Sequence, residues 1–168
     1  MLKKETAIKK EIVNLFGKYC SKCEGACCKG GVFSVFPFER RNIPNQNNIP
    51  ISDKSGKRGN VKDLVMGKNC PFLTEKGCKL KIELRTMDCL TYPVYPILKE
   101  NKINGFLIHK SCPFYKEISK NKNLLRLLKK LWEIQLEQKI SVKELQEWLG
   151  DDNYWKDWYS QTIKVMLK

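Results

Sequence analysis

Four cysteines stand within nine residues, at Cys20, Cys23, Cys27 and Cys28, and four more follow at Cys70, Cys78, Cys89 and Cys112. A deprotonated cysteine sulfur is a soft ligand for zinc, copper(I) or iron–sulfur clusters. The two-residue gap of Cys20-Ser-Lys-Cys23 lets both sulfurs of one turn reach a single centre, and Cys27 is near enough in sequence to join them. Cys27 and Cys28 are adjacent, so on a regular backbone their side chains diverge, oppositely on a strand and by about 100° on a helix. Either they serve two centres or a turn breaks the regularity. The eight cysteines are therefore read as metal ligands, most simply in two four-cysteine sites, holding an iron–sulfur cluster or zinc. Buried free thiols are the competing expectation.

Other candidates carry less. His109 is the one histidine and stands three residues before Cys112, where it could complete a three-cysteine site. Its apolar surroundings fit an ordinary packed or surface histidine better. Nothing marks one of the eight thiols as a nucleophile, so whether the chain is an enzyme is not decided by its motifs. Ser55-Gly56-Lys57 lacks the spaced glycines, preceding strand and following helix of a phosphate loop. Trp148, Trp155, Trp158 and Tyr159 could stack on a base or a cofactor ring, yet their spacing matches the packed face of short helices.

The chain has 168 residues, enough for one ordinary core, and a formal charge of +14. Residues 1–112, which hold every cysteine, carry +11 of that charge, and residues 113–168 carry +3. Metal chemistry explains part of this imbalance. Four thiolates around a divalent ion leave a net charge of about −2, which nearby Lys and Arg offset, and cations also favour the thiolate form. The remainder suits an acidic protein partner or nucleic acid. The basic residues fall in scattered pairs such as Lys3-Lys4, Lys9-Lys10 and Lys129-Lys130 rather than in one stripe, which fits a solvated surface better than a nucleic-acid groove. No apolar run approaches the ~18 residues of a membrane helix and no signal peptide is visible, so a cytoplasmic protein without a membrane partner is expected. In that reducing compartment, eight cysteines argue for metal over disulfides; an exported chain would instead favour four bridges.

The elements that must position these sulfurs follow from periodicity. Ile8, Ile12, Leu15, Phe16 and Tyr19 recur at helical spacing, so residues 4–18 are expected to form an amphipathic helix that Gly17 ends before the first cysteines. Val32 to Phe36 reads as a short buried strand, and Pro37 as the opening of a helical turn through Glu39 and Arg40. From Arg41 to Lys62 the Pro, Asn and Gly content is that of a mobile loop or long insertion. Val94–Leu98 and Gly105–His109 flank a polar stretch, as in a hairpin, with Pro96 placing its strand at an edge. Leu124 to Leu136 form one long helix, and Ser141-Val-Lys-Glu144 is a capping box opening a second that Gly150 ends. Asp151 or Asp152 is expected to cap a third helix carrying Tyr154, Trp155, Trp158, Tyr159, Ile163 and Val165.

With those positions in place, the chain resembles a family. Cys20-x2-Cys23-x3-Cys27-Cys28, then Cys70-Pro-Phe-Leu with Gly77-Cys78, then Arg85 and Cys89 leading to Tyr92-Pro93, and finally Cys112, resemble the small cysteine-cluster proteins described as zinc- or iron-chelating or as containing iron–sulfur clusters. Flagellin lysine methylases are similar in their cysteine motifs. The resemblance covers residues 20–114 and lies in the order of all eight cysteines. Thr86, Leu90 and Ile82 replace the family's usual Pro, Arg and Tyr, and the step from Cys78 to Cys89 is one residue longer than the family's. What the resemblance implies is therefore the metal rather than an activity.

Together these readings predict an α+β protein. Residues 1–114 are expected to form a small, irregular cysteine-rich metal-binding domain with short strands and an N-terminal helix. Residues 115–168 are expected to form a three-helix extension packed on it. The expected function is metal binding through the eight cysteines, in electron transfer or metal handling. The alternatives are a metal-dependent enzyme, such as a protein lysine methyltransferase or a redox enzyme, and a structural zinc protein that binds nucleic acid.

Overall fold

A computed structural model describes residues 2–29, 32–43, 62–65, 70, 72–75, 77–149 and 160–167. The fold is α+β, as expected. Helix α1 (Leu2–Cys20) buries Ile8, Ile12 and Phe16, the face its periodicity marks out. Gly17 does not end this helix. It lies within it with nothing close to its missing side chain, and the helix runs on to the first cysteine.

Strand β1 (Val32–Val35) leads into a 3-10 turn at Pro37–Asn42, and pairs antiparallel with β2 (Lys62–Val65). The expected loop between Arg41 and Lys62 lies mostly outside the described residues. A two-residue pair, β3 (Leu73–Thr74) and β4 (Gly77–Cys78), precedes a short helix α2 (Met87–Thr91). The expected hairpin is present as β5 (Val94–Lys99) and β6 (Lys102–His109), with Pro96 opposite Phe106 on the outer strand of the sheet. Glu100 and Asn101 turn it with φ of 52° and 62°, the left-handed pair that a two-residue hairpin turn requires.

Beyond the sheet come α3 (Tyr115–Lys120), α4 (Lys122–Gln138) and α5 (Val142–Leu149). The capping box forms as written in the sequence: Glu144 N–H donates to Ser141 Oγ at 3.1 Å and Ser141 N–H to Glu144 Oε2 at 2.9 Å. Gly150 and the stretch with Tyr154, Trp155, Trp158 and Tyr159 lie outside the described residues. Ile163 and Val165 depart from the expected third helix. They belong to a strand, β7 (Thr162–Met166), which pairs antiparallel with β6 from Gly105↔Met166 to His109↔Thr162. A Cβ at Gly105 would lie 2.5 Å from the Val165 carbonyl, so glycine is what admits β7 at this distance.

One large core unites these elements. Leu124, Leu128, Leu131 and Trp132 of α4 pack with Ile12 of α1, Phe106 and Ile108 of β6, and Leu145 and Trp148 of α5. Trp132, Trp148, Phe36 and Tyr95 form an aromatic cluster, with Trp132–Trp148 and Tyr95–Trp148 ring centroids each 5.3 Å apart. Trp148 is thus a core residue, as its spacing suggested. The polar Glu5 is drawn into the same body, held by Lys9 and Lys139 at 2.9 Å each. A second, much smaller cluster consists of Val35, Ile43 and Phe72, with Cys70, Cys78 and Leu80 packed against it. No described helix is long and apolar enough to cross a membrane.

Candidate metal centre

The first cysteines leave α1 at its C-terminal end. Ser21 N–H bonds back to Gly17, Cys23 N–H to Tyr19, and the Cys23 thiol donates to the Cys20 carbonyl at 3.7 Å, closing the turn. Glu24 and Gly25 then take φ of 52° and 65°, reversing the chain into a 3-10 turn at Ala26–Cys28. This is the break in regularity that adjacent cysteines require if their sulfurs are to meet. The Cys28 thiol donates to the Cys27 sulfur, which holds Cys27 below the usual thiol range and Cys28 far above it. One proton thus serves two sulfurs.

The downstream cysteines are brought to this turn by backbone bonds and by one arginine. Cys70 N–H donates to the Cys28 carbonyl at 2.8 Å, and Leu73 N–H to the Cys70 carbonyl at 2.9 Å. The β3–β4 pair sets Cys78 opposite Leu73. Arg85 donates to the Leu80 and Cys78 carbonyls, each at 3.4 Å, and its charge favours the thiolates of Cys20 and Cys28. Cys89 sits on α2, whose cap is Thr86: the Cys89 N–H donates to Thr86 Oγ1 at 3.2 Å. Cys112 follows β6, its N–H bonded to the His109 carbonyl.

Glu39 and Asp88, neither of them among the expected site residues, anchor α2. Glu39 is buried and accepts from Phe36 N–H at 3.0 Å and from Met87 N–H at 2.6 Å, bridging the 3-10 turn to the first residue of α2. Burial pushes its carboxyl up to about 8, against these two donors. Asp88, also buried, accepts from Ser34 N–H on β1 at 2.7 Å. The bonds to Met87 and Ser34 span about fifty residues, so nothing local announces them, whereas the Phe36 bond is the local cap of the 3-10 turn. A buried acid just before a candidate ligand was the only available signal.

None of the eight cysteines is in the core. Cys20, Cys27 and Cys89 are exposed, the other five are half-buried, and all carry free thiols. The expectation of buried thiols fails on this point. Desolvation nevertheless raises Cys20, to about 11, and raises Cys70, Cys89 and Cys112. The remaining causes show proximity: charge on Cys23, Cys28 and Cys112 acts on Cys20, charge on Cys28 and Cys78 acts on Cys70, and charge on Cys70 and Cys28 acts on Cys89. The sulfurs gather without closing. Among the described residues no group of three or more His, Cys, Asp or Glu side chains stands in metal-holding geometry.

His109 is placed as a structural residue. It is buried at the end of β6, and its Nδ1 accepts from Ser111 N–H at 3.2 Å, so the proton of the neutral ring is on Nε2. Burial lowers its pKa in accord with that neutral form. Tyr92 and Ser111 are hydrogen-bonded at 2.6 Å, and Ser111 reaches His109 Nδ1, so the three side chains form one chain of bonds beside Cys112. In comparisons with protein-family models, curated proteins and solved structures, nothing matches this chain.

Proposed function

We propose that the chain is a metal-binding protein whose eight cysteines hold an iron–sulfur cluster or zinc, for electron transfer or metal handling. One observation carries this reading. None of the eight cysteines is buried, Cys70, Cys78, Cys89 and Cys112 come from segments remote in sequence from the Cys20–Cys28 run, and Cys70 is hydrogen-bonded through its N–H to the Cys28 carbonyl. Free cysteine is among the most buried of residue types when it serves as packing, and eight unburied ones in one neighbourhood fit a ligand set instead. Membership of the cysteine-cluster family belongs to the same proposal and rests on the order of the cysteines. The all-sulfur ligand set suits both metals, and the family's labelling as iron–sulfur proteins is what puts iron–sulfur first and zinc second. A cytosolic setting belongs to the same proposal, since a reducing milieu keeps thiols available as ligands for either metal.

Cys27 favours a second reading, a redox enzyme. It is exposed and held below the ordinary thiol range, the condition for a nucleophilic or redox-active sulfur. Anaerobic purification followed by metal analysis, acid-labile sulfide and visible absorption tests the first reading. Colour with sulfide supports iron–sulfur, and a colourless zinc protein without sulfide supports zinc. A protein with neither metal, its cysteines paired by mass, ends the metal proposal.

A further inference from the structure

The fold gathers basic side chains that the sequence scatters. Near the end of α1, the Tyr19 hydroxyl accepts from Asn121 Nδ2 at 3.3 Å, and the Tyr19 ring centroid lies 5.7 Å from that of Phe114. Asn123 Nδ2 donates to Glu11 Oε1 at 3.3 Å. These contacts seat the end of α1 where α3 passes into α4. On one side of the seat, residues 18–23 hold Lys18 and Lys22 and no acid; on the other, residues 115–126 hold Lys116, Lys120, Lys122 and Arg126 against Glu117 alone. All six of these cations are exposed. The acids at the border are Glu11, bonded to Asn123, and Glu24, paired with Lys29.

Helix stability accounts for only part of this charge. Lys18 and Lys120 stand in the last turns of α1 and α3, where a cation offsets the negative end of the helix. At α4 the sign is reversed: the helix opens on Lys122 with no acid in its first turn, and Arg126 follows one turn on, at the end that favours anions. Lys116–Lys120 and Lys122–Arg126 are also like-charged pairs at a four-residue spacing, which opposes helix formation. Elsewhere that spacing joins opposite charges, Glu5 with Lys9 at 2.9 Å, Lys129 with Glu133 at 3.8 Å and Lys143 with Glu147 at 3.9 Å. Among the described residues none of the six cations makes an ion pair. Charge carried against the preference of its own helix is left to act outward.

We infer that the corner formed by Lys18, Lys22, Lys116, Lys120, Lys122 and Arg126 docks an acidic protein surface. Three elements meeting at a compact corner match a partner's acidic patch, whereas phosphate backbones are tracked by a basic stripe or one inserted helix. Its rings, Tyr19 and Phe114, are half-buried and packed on each other, unlike the open platforms on which bases stack. Lys18 stands two residues before Cys20 and Lys116 four residues after Cys112, so a partner seated here lies beside the first and last cysteines. The docking rests on charge and these contacts; the metal reading above gives it a use, and the failure of that reading would leave the docking standing.

The test is fluorescence anisotropy of fluorescein-labelled poly-L-glutamate titrated with the reduced full chain, at low salt and again as salt rises. Binding is expected, and is expected to weaken with salt. The Lys120→Glu/Lys122→Glu/Arg126→Glu variant should weaken it by about tenfold or more. Lys99→Glu/Lys102→Glu/Lys164→Glu, the same change of charge on exposed lysines of the sheet, should weaken it by less than about twofold. Circular dichroism checks each fold, and Lys120→Gln/Lys122→Gln/Arg126→Gln carries the comparison if the charge reversal unfolds the chain. Equal losses in the two variants overturn the inference, because net charge alone then explains binding; so does no binding at low salt. Tighter binding of duplex DNA, or of phosphatidylglycerol vesicles, through the same three residues overturns the class of partner. A chain that takes up no metal when tested in parallel, yet binds poly-L-glutamate at this corner, supports the docking and ends the metal reading alone.

Discussion

The two halves of this molecule are held together by different means. Around α1, α4, α5 and the β5–β7 sheet, twenty buried apolar side chains form one cluster, including two tryptophans in ring contact. Around the cysteines, among the described residues, the separate buried cluster is Val35, Ile43 and Phe72, and the chain is built from turns, strands of two to four residues and the short α2. A full core side chain contributes about 1.5–3 kcal/mol on burial, so the first half has ample reason to fold alone and the second has little. The cysteine half is where ligation has stability to add. The junction between them is α2, whose Met87 and Leu90 enter the large core while Cys89 between them is exposed.

Breaking the large core gives the largest expected effect. Trp132→Ala removes a fully buried ring that touches Phe36 and Trp148, and is expected to cost about 3–5 kcal/mol in chemical denaturation. Added Zn2+ should not restore it, because the loss lies away from the thiols. Cutting the junction gives a middle effect. In Glu39→Gln the amide nitrogen cannot accept, so either Phe36 or Met87 loses its buried acceptor, at about 1–3 kcal/mol. The pH dependence sharpens this. The folded state holds the Glu39 proton more tightly than the unfolded state, whose value is near 4.5, so this contribution is complete below pH 4.5 and lost as pH rises through about 8. The glutamine variant should lack that decline between the two values in denaturation curves. The smallest expected effect is at the thiols without metal. Cys89→Ser in the metal-free protein should move stability by less than about 0.5 kcal/mol, since the side chain is exposed and its backbone bond to Thr86 is kept. With Zn2+ present, the same variant should lose the stabilisation that metal gives the wild type.

The same contrast governs what could be read from the sequence. Local signals carried the first half: helical spacing in α1 and α4, the capping box of α5 and the apolar runs of the hairpin all appear in the fold. β7 was missed because Thr162-Ile-Lys-Val-Met166 is a short alternation whose strand state is decided by pairing with β6, some sixty residues away. In the cysteine half the candidate ligands were legible by residue type. The turn at Glu24-Gly25 and the anchoring of α2 by Glu39 and Asp88 were not, because they depend on bonds between distant segments.

The measurement that tests this account most directly is backbone hydrogen exchange of the full chain, reduced and metal-free, compared with the same protein saturated with Zn2+. Metal is expected to slow exchange strongly at residues 20–29, 70–91 and 110–112, while the amides of α4 and the β5–β6 hairpin, already protected by the large core, change little. Equal protection of both halves without metal, unchanged by Zn2+, would contradict the claim that the cysteine half is a ligand set that metal completes.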